Sequence, residues 1–284
     1  MLGGLARRVS LVEKLKSEDG SLLIVDSGNL VTGAWAGANQ KQSIIKARLI
    51  SRAYRRMGAA AINVGALDLR QGLAFLRKEA SRGLPLVSAN LVDPSTKTSI
   101  FKPYIIKKVG AIRVAFFGLL SPNIGTDVDK EAGKQCLVKD PVRTAREMTG
   151  MLRGKADVII LLSDLPSDSQ QEVIKAAPGI HFVLGGRDGR YVQSPLWEGQ
   201  TPILESYKYG MYAGKLQLGY VNASSPFKYE MTEEQAWRQV SSGDGLRPPS
   251  RNNRFQWTLM PLDMSMPEDK EVSGWIKKAG IERE

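Results

Sequence analysis

Three short apolar runs near the amino terminus, Ser21–Val25, Ala59–Val64 and Leu84–Val92, alternate with two helical stretches, about Gln40–Met57 and Gln71–Ser81. Apolar runs of this length between turn residues fit buried strands. A helix between successive strands carries the chain back so that the strands lie parallel. The alternation places the chain in the α/β class. Leu5–Leu15 precedes it as a helix, with Leu5, Val9, Val12 and Leu15 on one side. Downstream, Ser99–Lys108 and Ile112–Leu120 flank Gly110 as a β-branched and aromatic hairpin. Asp140–Arg153 is a helix with Asp140 as its N-cap and Pro141 as its first residue. Asp157–Leu162 and Ile180–Leu184 are two more apolar strands. Thr201–Ser206, Tyr212–Val221, Pro226–Met231 and Phe255–Leu262 continue as mostly antiparallel strands. Ser241–Asn253 is a loop rich in Gly, Pro, Ser and Asn, and Asp269–Ala279 is a terminal helix.

Composition narrows the chemistry. The 284 residues include one His and one Cys. A single imidazole excludes His-rich zinc centres and most di-metal phosphatase sites built from this chain alone. The lone Cys136 excludes a disulfide framework and an iron–sulfur cluster. No apolar run approaches the roughly 20 residues needed to span a bilayer. The net charge of +11 favours anionic partners. Between Ser27 and Leu67 there is no acidic residue, and Lys41, Arg48, Arg52 and Arg55 fall on one face of the expected helix, opposite Ile45, Leu49 and Ile50. Such a face is either solvated or a docking surface for an acidic partner. No aromatic residues interleave with it, which argues against nucleic acid.

Four strands end in polar or glycine turns: Asp26–Asn29, Gly65–Asp68, Ser163–Asp164 and Gly185–Asp188. Carboxyl ends of strands are where sites gather in α/β sheets. Four carboxylates, Asp26, Asp68, Asp164 and Asp188, lie in these turns with Arg187 among them.

At these turns the sequence resembles the N-terminal, calcineurin-like metallophosphoesterase domain of the secreted 5′-nucleotidases. Gly3–Arg8 is similar to that family's GGLAR helix start, and Ser21–Gly33, SLLIVDSGNLVTG, to its LLLDAGD segment. Ile62–Leu69, INVGALDL, sits where the family has LGNHEFD. Pro85–Asn90 and Phe101–Gly118 follow the family pattern, Ala156–Asp164 resembles ADVIIALSH, and Pro178–Asp188 resembles PGIDVIIGGHSH. Thr201–Gly214 resembles the TPIVQAG…YLG segment, and Pro261–Trp275 the segment and linker helix that follow the domain. The resemblance implies a four-layer αββα sandwich with mixed sheets over 1–265, followed by a linker helix over 266–284. It also implies a periplasmic or extracellular location.

The family binds two divalent metals, and its ligands are not retained here. Asn29 replaces the bridging Asp, Ala66 and Leu67 replace Asn and His, and Asp164 replaces a lone His. Arg187 and Gly189 replace the two His of GHxH, and His181 falls on a strand-interior position. The resemblance therefore implies a degenerate member with no metal cofactor and no confident catalytic residue. Its remnant site is Asp26, Asn29, Asp68, Asp164, Arg187 and Asp188. Arg187 is expected to supply positive charge there by pairing with Asp164 or Asp68. A rival is a single hard cation on the oxygen ligands. The family's D-x-H strand and substrate-specificity domain have no counterpart in these residues, which makes a chain completing the sheet edge an expected partner. The reading is a non-catalytic binding or scaffold protein; the alternative is a residual phosphoester hydrolase.

Overall fold

The computed structural model describes residues 2–31, 40–123, 134–222, 225–231 and 252–281. Helix α1 spans Leu5–Glu18 and α2 Gln40–Arg56. Between and after them lie β1 (Val25–Asp26), β2 (Ala61–Asn63) and β3 (Leu86–Val87), which form a parallel sheet in that order. A 3-10 turn, Ala66–Gln71, leads into α3, Leu73–Ser81; Gly72 breaks the helix at φ 79. The expected third strand over Leu84–Val92 is two. After β3 the chain crosses over, drawn by Asn90, whose side chain donates to Leu120 O (2.7 Å) and accepts from Leu120 N (3.1 Å). β4 (Leu91–Val92) then pairs with β7 (Leu137–Val138) instead.

The main sheet has six strands in the order β10-β11-β9-β8-β6-β5. β5 (Tyr104–Val109) and β6 (Ile112–Leu120) form the expected hairpin. β6, β8 (Val158–Asp164), β9 (Phe182–Gly185) and β11 (Thr201–Glu205) are parallel, and β10 (Leu196–Glu198) closes one edge antiparallel. Two helices cover its outer face. α4 is Pro141–Leu152, with Asp140 capping through Arg143 N at 2.7 Å, and α5 is Ser167–Ala176. A third sheet holds β12 (Tyr212–Gly219), β14 (Arg254–Pro261) and β13 (Lys228–Tyr229). The expectation of mostly antiparallel strands beyond residue 200 is half right. β12 is antiparallel to β14, but β13 runs parallel to β14 and β11 parallel to β9. Most of the Ser241–Asn253 loop lies outside the described residues.

Alternation along the strands sorts three apolar cores. Phe117, Leu119, Leu161 and Val183 face α4 and α5. Phe116, Ile160, Phe182 and Leu204, from the opposite face of the same sheet, meet Ala61, Val87, Phe255 and Trp257. Ile62 and Val64, one and three residues on from Ala61 and so on the opposite face, pack under α1, α2, α3 and α6 (Lys270–Lys278). The order is therefore helices, sheet, sheet, helices. The terminal helix packs on the domain: Val272 is fully buried in the first core and Asp269 N donates to Ala6 O.

Candidate functional site

The ends of β1, β2, β8 and β9 bring four loops together, and Asn29 is at their centre. Its backbone is left-handed (φ 58), which asparagine tolerates better than most residues. Its Nδ2 donates to Asp164 Oδ1 at 2.6 Å, its Oδ1 accepts from Leu67 N at 2.9 Å, and its own N–H donates to Asp68 Oδ2 at 2.9 Å. Two glycines let the turns approach this closely: a Cβ on Gly65 would overlap the Asn29 side chain, and one on Gly186 would overlap Ser27 Oγ.

The carboxylates are all hydrogen-bonded within the chain, and two of them, Asp68 and Asp164, are buried. Asp68, 2% exposed, also accepts from Gly65 N (2.9 Å) and Val31 N (2.8 Å). Asp164, 1% exposed, also accepts from Ala66 N at 2.6 Å, and Arg187 Nη1 lies 3.4 Å from its Oδ2. Asp26 accepts from Gly28 N and from the Tyr54 hydroxyl at 2.8 Å, which in turn accepts from Arg8 Nη1. Burial pushes all three carboxyls up, Asp68 to about 7. Asp188 stands apart at the exposed rim, where it accepts from Ser167 N and Oγ at the start of α5. Of the six residues expected at this site, five converge, and Asp188 is a helix-start anchor.

Several members are not evident from sequence. Tyr54 and Arg8 reach Asp26 from α2 and α1. Asn63, fully buried at the end of β2, ties two strand ends through Ser27 O and Leu119 O. Glu205, 1% exposed at the end of β11, receives Arg190 N, Nε and Nη2 at 2.9, 3.0 and 2.5 Å. This pair fastens the glycine loop that carries Arg187. The Arg190–Glu205 spacing resembles no local motif. The only usable signal was an acidic residue closing an otherwise apolar strand.

No family model matches the chain. The 2′,3′-cyclic-nucleotide 2′-phosphodiesterase/3′-nucleotidase of Salmonella typhimurium is 25% identical over 206 residues, covering 64% of this chain and 32% of that protein. The 5′-nucleotidase of Vibrio cholerae is 22% identical over 255 residues, covering 77% and 45%. Among solved structures, the sulfate thiohydrolase SoxB of Thermus thermophilus superposes with a TM-score of 0.78 at 16% identity, covering 98% of this chain and 46% of that one. A 5′-nucleotidase precursor of the same organism gives 0.71 at 18%, covering 98% and 53%. The chain is a relative of the 5′-nucleotidase-type calcineurin-like phosphoesterases. It spans between about a fifth and half the length of the curated relatives it matches.

The two-metal centre implied by that relationship does not fit these residues. Every carboxylate oxygen of Asp26, Asp68 and Asp164 already accepts a hydrogen bond from within the chain. Arg187 adds a fixed cation beside Asp164, which would repel a metal. Among the described residues, no group of three or more His, Cys, Asp or Glu is arranged to hold an ion. His181 is at the other end of β9.

The basic face of α2 is only partly open. Arg55 Nη1 is 2.5 Å from the buried Glu79, and the Arg52 guanidinium sits 3.6 Å from the ring centroid of Trp275 on α6 and 3.9 Å from Glu271. Lys41 and Arg48 are exposed. Arg52→Glu would set a like charge beside Glu271 and lose the ring contact. It is therefore expected to lower the thermal midpoint, whereas Arg48→Glu leaves it unchanged, as thermal denaturation would show.

Proposed function

We propose that this is a degenerate 5′-nucleotidase-like metallophosphoesterase domain that works as a binding or scaffold protein without metal-dependent hydrolysis. The observation that carries the reading is the Asn29 amide. It joins Asp164, Leu67 and Asp68 at the point where the chemistry of the relatives calls for a bridging carboxylate between two cations. A neutral amide balances metal charge poorly, and Leu67 has no group to coordinate or to donate a proton. Partners follow from charge and edges: an acidic protein at the exposed end of α2, or a strand added to an open sheet edge. No described helix is long and apolar enough to cross a membrane. A periplasmic or extracellular location accords with the secreted family it resembles.

The test is elemental analysis of the purified protein, with assays on AMP, 2′,3′-cyclic AMP and p-nitrophenyl phosphate in Mn²⁺, Mg²⁺, Zn²⁺ or Ca²⁺. No bound metal in stoichiometric amount and no turnover above buffer is expected. The retained fold and the buried carboxylates favour one rival, a residual hydrolase with an altered or single-metal site. Metal-dependent turnover abolished by Asn29→Ala or Asp164→Ala would establish that rival.

A further inference from the structure

The other end of the six-stranded sheet holds a cleft of about 430 Å³, within the range of small-molecule sites. It lies at the amino ends of β9 and β11, away from the strand-end turns. Its walls are Ile174 at the end of α5, Ile180 and His181 leading into β9, Glu198 in β10, and Phe227 before β13.

His181 is held in one protonation state by its neighbours. Its backbone N–H donates to Ile159 O at 2.9 Å, and its Nδ1 accepts from Ile159 N at 3.0 Å. An Nδ1 that accepts a hydrogen bond leaves the proton on Nε2. Burial also pushes this imidazole below its ordinary value, which keeps it neutral. The ring is braced edge-on by Phe227, with centroids 6.0 Å apart, and Phe227 is itself braced by Phe182 at 4.9 Å. Nε2–H makes no hydrogen bond to any described residue. Glu198 is the complementary group. Its side chain is 19% exposed, and its nearest cation, Lys175, is 3.8 Å away, beyond hydrogen-bond reach. The cleft thus offers one neutral donor, one under-used acceptor whose charge Lys175 offsets, and apolar walls that include an aromatic ring.

We propose that this cleft binds a small planar cyclic amide, whose carbonyl accepts from His181 Nε2–H and whose ring N–H donates to Glu198. The ring packs against Phe227 and Ile174. The near-neutral charge of the cleft disfavours a free phosphate or an ammonium. The proposal does not rest on the state of the strand-end site, and its failure would leave that reading untouched.

Because the chain has one histidine, ¹⁵N-histidine labelling gives a single imidazole reporter. The full chain would be titrated with 2-pyridone, with uracil and, separately, with inorganic phosphate. A saturable shift of the Nε2 resonance with the two amides is expected. Binding should weaken by about tenfold in Glu198→Ala, the effect of losing one hydrogen bond to a charged group. Glu198 is at a partly exposed strand end, and an unchanged near-ultraviolet circular dichroism spectrum would confirm that the variant folds. The proposal is overturned if neither amide moves the resonance at millimolar concentration. It is equally overturned if phosphate moves it as strongly, or if Glu198→Ala binds as well as the parent.

Discussion

Asn29→Asp is expected to destabilise the protein by about 3 kcal/mol near neutral pH, although it restores the residue type found in catalytic relatives. The new carboxylate would replace an N–H donor 2.6 Å from Asp164 Oδ1. Two carboxylates at that separation cannot both ionise, so the pair would hold a shared proton. The pH dependence gives the sign. Asp68 sits at about 7 in the folded state against an ordinary 3.8, because of its burial. Its contribution is therefore fully present below the ordinary value and lost as pH rises through about 7. The unmodified protein should already weaken over that window, and Asn29→Asp should steepen the loss. Urea titrations of both proteins at several pH values measure it. A variant as stable as the parent at neutral pH would mean that Asn29 does not close the site. Recovery of the lost stability on adding Mn²⁺ would mean that one substitution rebuilds a metal site, which favours the residual hydrolase.

What the sequence made legible follows from how local each signal is. The β5–β6 hairpin and the Asp140–Pro141 helix start are written in neighbouring residues, and both are present. So is the convergence of the four turns, because parallel strands joined by helices must end on one side. The split of Leu84–Val92 was not legible, because it depends on Asn90 binding Leu120, thirty positions away. Helix α5 follows directly on the Ser163–Asp164 turn, where the polar run Ser167–Gln171 disguises a helix anchored by the buried Gln170, Val173 and Ile174. At the site, substitution at the ligand positions was visible residue by residue. How the vacated positions are filled was not: Asn29 to Leu67 N and Asp68 to Val31 N are backbone contacts, which carry no residue-type signature. The basic face of α2 misleads for a related reason. Periodicity places Arg52 and Arg55 outward, and only the packing of α3 and α6 shows that Glu79 and Trp275 meet them.

Arg190→Met should cost about 3 kcal/mol, because it strands a buried carboxylate. Glu205 is 1% exposed and closes a fully buried strand, where its two oxygens accept three hydrogen bonds from Arg190. The substitution keeps the backbone N–H bond and removes the two from the guanidinium. Water can reach the site only in part, since the Arg190 side chain is 33% exposed. Replacing both partners is a different matter: in Arg190→Met with Glu205→Leu no charge is left unpaired, and the double variant should recover much of the loss. A double-mutant cycle by urea unfolding, with Glu205→Leu as the second single variant, separates the two cases, and a loss in the double variant equal to the sum of the two single losses would show that the pair is not coupled. The consequence reaches the remnant site because Arg190 anchors the same loop that places Arg187 beside Asp164. Amide exchange at residues 186–190 should therefore accelerate in Arg190→Met, while exchange in α2, packed in the opposite layer, stays as it was.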